Sequence, residues 1–87
     1  QSLDLRAVGW FYGKGKHARR AGGIVVEYRG VTTQVGTGFS DAERGTIARQ
    51  GTRGLIAEIE FMELTSDGKL REPRFKGWRY DKTEPDV

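Results

Sequence analysis

Four residues late in the chain, Arg79-Tyr80-Asp81-Lys82, place two cations on either side of a carboxylate. An arginine fork can hold two phosphate oxygens at once, and a lysine beside it adds a second point charge. Left in water, the same cluster is worth little energetically. A second concentration of charge lies between Gly13 and Gly23, where Lys14, Lys16, His17, Arg19 and Arg20 fall within seven residues. Cations spaced by glycines suit non-specific contact with a phosphate backbone, at an affinity that falls as salt rises. The spacing is neither a phosphate-cradling G-x-x-x-x-G-K-[ST] loop nor a dinucleotide fingerprint. His17 has no evident partner in sequence, so a surface position or phosphate contact is expected of it rather than general-base work. A third group, Arg71, Arg74, Phe75 and Lys76, surrounds an aromatic ring with cations. Such a ring either packs in a core or wedges into a duplex. By alternation Arg71, Phe75 and Arg79 share a face, unless Pro73 bulges the strand. Trp78 is assigned to packing. Glu58, Glu60 and Glu63 read as a solvated strand face, not as a metal or catalytic set.

The composition limits what else is available. Eighty-seven residues without cysteine and with one histidine offer no disulfide, no thiolate site and no zinc set. No apolar run approaches the ~20 residues of a membrane span, and no signal segment opens the chain. A soluble, cytoplasmic, monomeric protein without membrane partners is the expectation. The net charge is only +3, yet Lys and Arg outnumber acids six to two over residues 1–39 and six to four over 69–87, with three against six between them. A fold that gathers those cations can hold a polyanion despite the small net charge.

One domain must position them, because a chain of this length buries only about 60–65% of its surface. Thirteen glycines and two prolines point to short strands and many turns. Residues 3–12 read as a first strand, with Leu3, Leu5, Ala7 and Phe11 on one face and Asp4 and Arg6 on the other. Strands are expected at 24–29 and 31–36, joined by a turn at Gly30. Ser40-Asp41-Ala42-Glu43 fits a capping box, so a helix is expected over about 41–49. Strands at 55–65 and 70–79 and a polar tail at 82–87 complete the chain. Pro73 marks its strand as an edge or a bulge. The order is three strands, a helix and two strands, which is that of the all-β OB-fold, a five-stranded Greek-key barrel with a short helix between the third and fourth strands.

Val35-Gly36-Thr37-Gly38-Phe39-Ser40, followed by Asp41 and Arg44, resembles the "VGTGF" segment of the OB domains of ATP-dependent DNA ligases, of bacterial or bacteriophage type. Asp67-Gly68-Lys69-Leu70-Arg71-Glu72-Pro73-Arg74-Phe75 is similar to their "DG-S-L-R-x-P-R-F" run, and Arg79-Tyr80-Asp81-Lys82 to their R-x-D-K motif VI. Gly13-Lys14-Gly15-Lys16 with Gly22-Gly23 resembles the family's first loop. R-x-D-K alone also occurs in messenger RNA capping enzymes; the combination, in family order, is what points to DNA ligase. The resemblance implies that Arg79 and Lys82 meet the pyrophosphate of ATP during self-adenylation, with Asp81 orienting a cation or making a domain contact. It implies ATP and Mg2+ as cofactors of the whole parent, with none bound by this domain alone. Nicked double-stranded DNA is the implied partner, gripped through Lys14, Lys16, His17, Arg19, Arg20, Arg71, Arg74, Phe75 and Lys76. Related ligases press the phenylalanine at the Phe75 position into the minor groove beside the nick. The K-x-D-G and E-G-x-V motifs are absent, so the adenylated lysine would sit in an upstream nucleotidyltransferase domain, with this chain an excised piece inactive alone. A free-standing OB module for single strands, or the OB domain of an RNA ligase or capping enzyme, are the alternatives.

Overall fold

A computed structural model describes all residues, Gln1–Val87. The elements run β1 (Ser2–Tyr12), a 3-10 turn (Gly15–His17), β2 (Ala21–Tyr28), β3 (Val31–Val35), α1 (Asp41–Gln50), β4 (Ile56–Glu60), β5 (Glu63–Leu64), β6 (Leu70–Arg71) and β7 (Arg74–Trp78). Five strands form one antiparallel sheet in the order β3-β2-β1-β4-β7, and β5 and β6 make a small hairpin of their own. The sheet curls until its ends meet, where the Phe75 N–H donates to the Thr37 carbonyl at 2.8 Å. With α1 between the third and fourth strands, this is an OB-fold.

The helix starts as its sequence dictates. Ser40 Oγ accepts from the Glu43 N–H at 3.0 Å, and Glu43 Oε1 accepts from the Ser40 N–H at 2.8 Å. Phe39 precedes the cap, in the position where an apolar residue staples the helix entry. Its partner there is Arg44, whose guanidinium lies 5.4 Å from the Phe39 ring centre. The same guanidinium donates to the carbonyls of Gly22 at 2.6 Å, Ala21 at 3.2 Å and Gly36 at 3.0 Å. One side chain thus ties α1 to the start of β2 and the end of β3. The β2–β3 hairpin closes on Arg29 and Gly30, both at positive φ (51 and 84), as a two-residue primed turn requires.

Bulges reset the expected faces. Val8 is an extra residue in β1 opposite β2, because Ala7 pairs with Val26 and Gly9 with Val25. A one-residue slip exchanges the faces of a strand. Leu5 and Ala7 are therefore buried, while beyond the bulge it is Trp10, not Phe11, that packs on the core. In β7, Lys76 is the extra residue, between the Phe75–Ile59 and Gly77–Glu58 pairs. Arg71, Phe75 and Arg79 consequently do not share a face.

Two expected strands are shorter than the sequence suggests. β4 ends at Glu60, where the Phe61 N–H turns to the Gln1 carbonyl at 2.9 Å and the Met62 N–H to Arg71 at 3.0 Å. The strand expected over 70–79 is split at Glu72, at φ 50, and Pro73, which has no N–H for a ladder. The glycines of the 36–38 segment admit β7 rather than the helix. Gly38 has φ +101, and a side chain there would strike the Phe75 backbone.

Candidate phosphate and nucleic-acid interface

Arg79 and Lys82 converge on one buried carboxylate. The Asp4 residue, 6% exposed, lies on β1 beside Glu58 of β4. Its Oδ2 accepts from Arg79 Nη1 at 2.9 Å and from Lys82 Nζ at 2.8 Å. Arg79 turns its remaining edge to Asp81, donating from Nε at 3.3 Å and Nη2 at 3.2 Å. Lys82 also donates to Asp86 Oδ1 at 2.8 Å, four residues on. Of the roles expected of Asp81, orienting a cation or making a domain contact, its pairing with Arg79 is compatible with the first. Arg79 reaches this place because β7 carries the chain past Ile56, whose carbonyl accepts from the Arg79 N–H at 2.8 Å.

The polar tail expected at 82–87 is docked. Asp86 Oδ2 accepts from the Asp4 N–H at 2.7 Å, and the Asp86 N–H donates to the Asp4 carbonyl at 2.8 Å. Arg6 donates to the Thr83 carbonyl at 3.0 Å and to Gly54 at 2.8 Å, and lies 3.7 Å from Glu84. Asp4, Arg6 and Asp86 therefore belong to the site, although sequence reading missed them. Asp4 carried little signal, because an acid alternating with Leu3 and Leu5 reads as a solvent-facing strand position. Asp86 carried none, since its partner is 82 positions away.

These contacts move the titrations in consistent directions. The Arg79 fork holds the Asp81 carboxyl below the usual carboxylate range. The hydrogen bond from the Asp4 backbone, then Lys82, does the same for Asp86. Lys82 is raised by its bond to Asp4, then by Asp86, and Arg79 by its bond to Asp81, then by the charge of Asp4. A carboxyl depressed by docking contributes fully above its free value of about 3.9 and loses the contribution as pH falls through the docked value. A raised lysine contributes fully below about 10.4 and loses it as pH climbs through its docked value. Tail docking is thus expected to be complete between about pH 4 and 10 and to fail on the acid side. Backbone amide shifts of Asp4 and Asp86, followed by NMR from pH 6 downward, should move together below about pH 4. Shifts that stay flat there would contradict it.

The second cation set lies at the far end of β1. From Asp4 to Tyr12 the strand advances about 25 Å, and the Lys14–Arg20 loop follows. The loop is tied down by the Gly13 N–H to the Arg20 carbonyl at 2.9 Å, and by Arg20 and His17 lying 3.8 and 4.0 Å from Asp41 at the start of α1. Lys14, Lys16 and Arg19 are exposed. The His17 Cβ and backbone lie against Gly13, and its Nδ1 is enclosed without a hydrogen-bond partner. Of the two expectations for His17, a surface position or a phosphate contact, the first is met only in part, since the residue is half-buried. Gly22, at the loop's end, and Gly36 share the Arg44 guanidinium, and Gly36 and Thr37 line a cleft with Pro73 and Arg74. Arg74 is exposed at that cleft. Arg71 stands apart, 3.6 Å from Glu63, and Lys76 projects at the β7 bulge.

Phe75 is core. It is 2% exposed, stacked on Phe39 at 4.3 Å and edge-on to Trp78 at 5.1 Å, so it presents no wedge to a groove. Among the rings a single strand would need, Trp10 and Tyr28 also pack on the core, whereas Tyr12 and Tyr80 are exposed.

A family model described as a DNA ligase OB-like domain matches residues 12–79. The multifunctional non-homologous end joining protein LigD of Mycolicibacterium smegmatis is 28% identical over 109 positions, covering 91% of this chain and 14% of that protein. A solved structure called Pmar-Lig_Pre is 32% identical with a TM-score of 0.77, over 92% of this chain and 21% of the other. A Lig E DNA ligase structure, described under "DNA binding with a minimal scaffold", is 32% identical with a TM-score of 0.78, over 91% and 30%. The chain thus spans less than a third of each of these relatives.

Proposed function

Since the chain belongs to the DNA ligase OB-like domain family, we propose that it is the DNA-gripping and nucleotide-closing domain of an ATP-dependent DNA ligase. The observation that carries the reading is the convergence of Arg79 and Lys82 on Asp4 at one end of β1, with a separate cationic loop at the other. Two anion-binding ends about 25 Å apart on one rigid strand suit two tasks performed in different orientations. One end meets the polyphosphate of ATP and the other grips the backbone of nicked duplex.

The residues present fit a polyphosphate. Arg79 uses three of its five N–H donors and Lys82 two of its three on the protein's own carboxylates, so both keep donors to offer. Fixed cations at a leaving pyrophosphate stabilise the charge that grows there. ATP supplies the adenylyl group when bound, and Mg2+ accompanies it in the parent. The lysine that accepts this group would come from a nucleotidyltransferase domain of the same parent protein. No helix of this chain is long and apolar enough to cross a membrane.

At the other end, Lys14, Lys16 and Arg19 are free to meet phosphates, and Arg74 extends the surface. Binding led by phosphates weakens with salt in proportion to the number neutralised, by a slope of about 0.9 for each. Replacing Lys14 and Lys16 together by glutamine should lower the slope for nicked duplex by roughly two and the affinity near 50 mM salt about tenfold. An anisotropy titration at two salt concentrations reads both. A slope unchanged by the substitutions removes the loop from the interface. In competition, nicked duplex should displace single strand, and the opposite preference would favour a single-strand module.

A further inference from the structure

We propose that the acidic segment Thr83–Val87 is an intramolecular stand-in for phosphate, which covers Arg6 and Lys82 until a polyphosphate displaces it. This rests on the reading of Arg79 and Lys82 as phosphate contacts and adds a regulation of that same site.

The charge count decides the matter. Around Arg79 and Lys82 stand three carboxylates, Asp4, Asp81 and Asp86, so the docked cluster carries a net charge of −1. An incoming polyanion meets free N–H donors inside a patch of its own sign. Bringing it in is easier once a carboxylate leaves, and the three differ in how freely they can. Asp4 is buried within β1 between sheet and tail. Asp81 is bound by two atoms of the Arg79 fork. Asp86 sits on a segment without regular secondary structure, held at two backbone points to Asp4 and at Lys82. Glu84 of the same segment pairs with Arg6 at 3.7 Å, itself exposed. Each tail acid therefore occupies a cation, as a phosphate oxygen would. Lifting the segment brings the cluster to neutrality and uncovers Arg6 beside it.

The test uses inorganic tripolyphosphate and the full 87-residue chain. Wild type, Glu84→Gln/Asp86→Asn, Arg79→Ala/Lys82→Ala and a charge-matched control, Glu63→Gln/Asp67→Asn, are titrated by calorimetry. Glu63 and Asp67 are exposed and belong to the β5–β6 hairpin, outside the sheet that carries the cluster. The tail variant should bind tripolyphosphate roughly three- to tenfold more tightly than wild type, and the control should change less than twofold. In wild type, the amide signals of Asp4 and Asp86 should move on titration towards their positions in the tail variant, a measurement that needs no substitution to fold. A tail variant no tighter than the control, or tail amides that stay fixed at saturation, overturns the inference. Binding indifferent to Arg79→Ala/Lys82→Ala overturns the phosphate reading beneath it. Binding that needs those cations but ignores the tail leaves that reading standing and removes this one alone.

Discussion

Replacing Arg79 by alanine should slow self-adenylation about a hundred- to a thousandfold in a protein that joins this domain to a nucleotidyltransferase domain. Loss of a single preorganised donor to developing charge has that order of effect when water is excluded. Arg79 is well placed to be such a donor. Its guanidinium is fixed by Asp4 on one side and by both oxygens of Asp81 on the other, so its free N–H groups are already aimed. Lysine at the same position keeps the charge but cannot hold both carboxylates with a planar fork, so Arg79→Lys should recover only part of the rate. Transfer of labelled adenylate from ATP to protein gives the rate directly. Sealing of a nick that already carries adenylate should be much less affected, because no pyrophosphate leaves in that step. Wild-type adenylation by Arg79→Ala would remove the residue from the chemistry.

The largest effect on stability is expected at Gly38. Alanine there should cost about 3–5 kcal/mol, from a left-handed backbone and from overlap with a neighbour that cannot yield. The φ of Gly38 is +101, which side-chain-bearing residues rarely adopt, and its missing Cβ would lie 2.8 Å from the Phe75 nitrogen and closer still to its carbonyl oxygen. Both are backbone atoms at the seam that closes the barrel, where the Phe75 N–H meets Thr37. Relief would have to open that seam and separate Phe39 from Phe75, stacked at 4.3 Å. A domain of this size has about 5–10 kcal/mol in all, so the urea unfolding midpoint should fall by about a third or more. A midpoint within a few tenths molar of wild type would show that the seam is pliable.

What the sequence reveals and what it hides divide along sequence distance. The helix start is legible because the capping box is a four-residue device, Ser40 to Glu43. The β2–β3 turn is legible because Gly30 and its neighbour set the geometry locally. The first residues of β1 alternate as they should, up to Ala7. The extra residue at Val8 is invisible, because a bulge is defined by the partner strand and nothing in Val8 announces it. Lys76 repeats the lesson in β7, where period-two reasoning wrongly joins Phe75 and Arg79. At the candidate site, Arg79 and Lys82 stand out by type and spacing, whereas Asp4 does not. An acid in a strand reads as solvent-facing until something distant covers it, and here the cover is the segment around Asp86.

The docking of Asp86 also bears on how copies of this domain behave in crowded solution. Before Arg6, β1 is paired with β4 on one side only, since its pairing with β2 begins at Arg6. A strand with one bare edge is a template on which another chain can extend a ladder. On that edge Asp86 engages both the N–H and the carbonyl of Asp4, but its acceptor is a side-chain carboxylate. A carboxylate ends the hydrogen-bond pattern instead of passing it on, and its charge discourages stacking by a like neighbour. The segment therefore caps that edge, and acid that undocks it would remove both the plug and its charge.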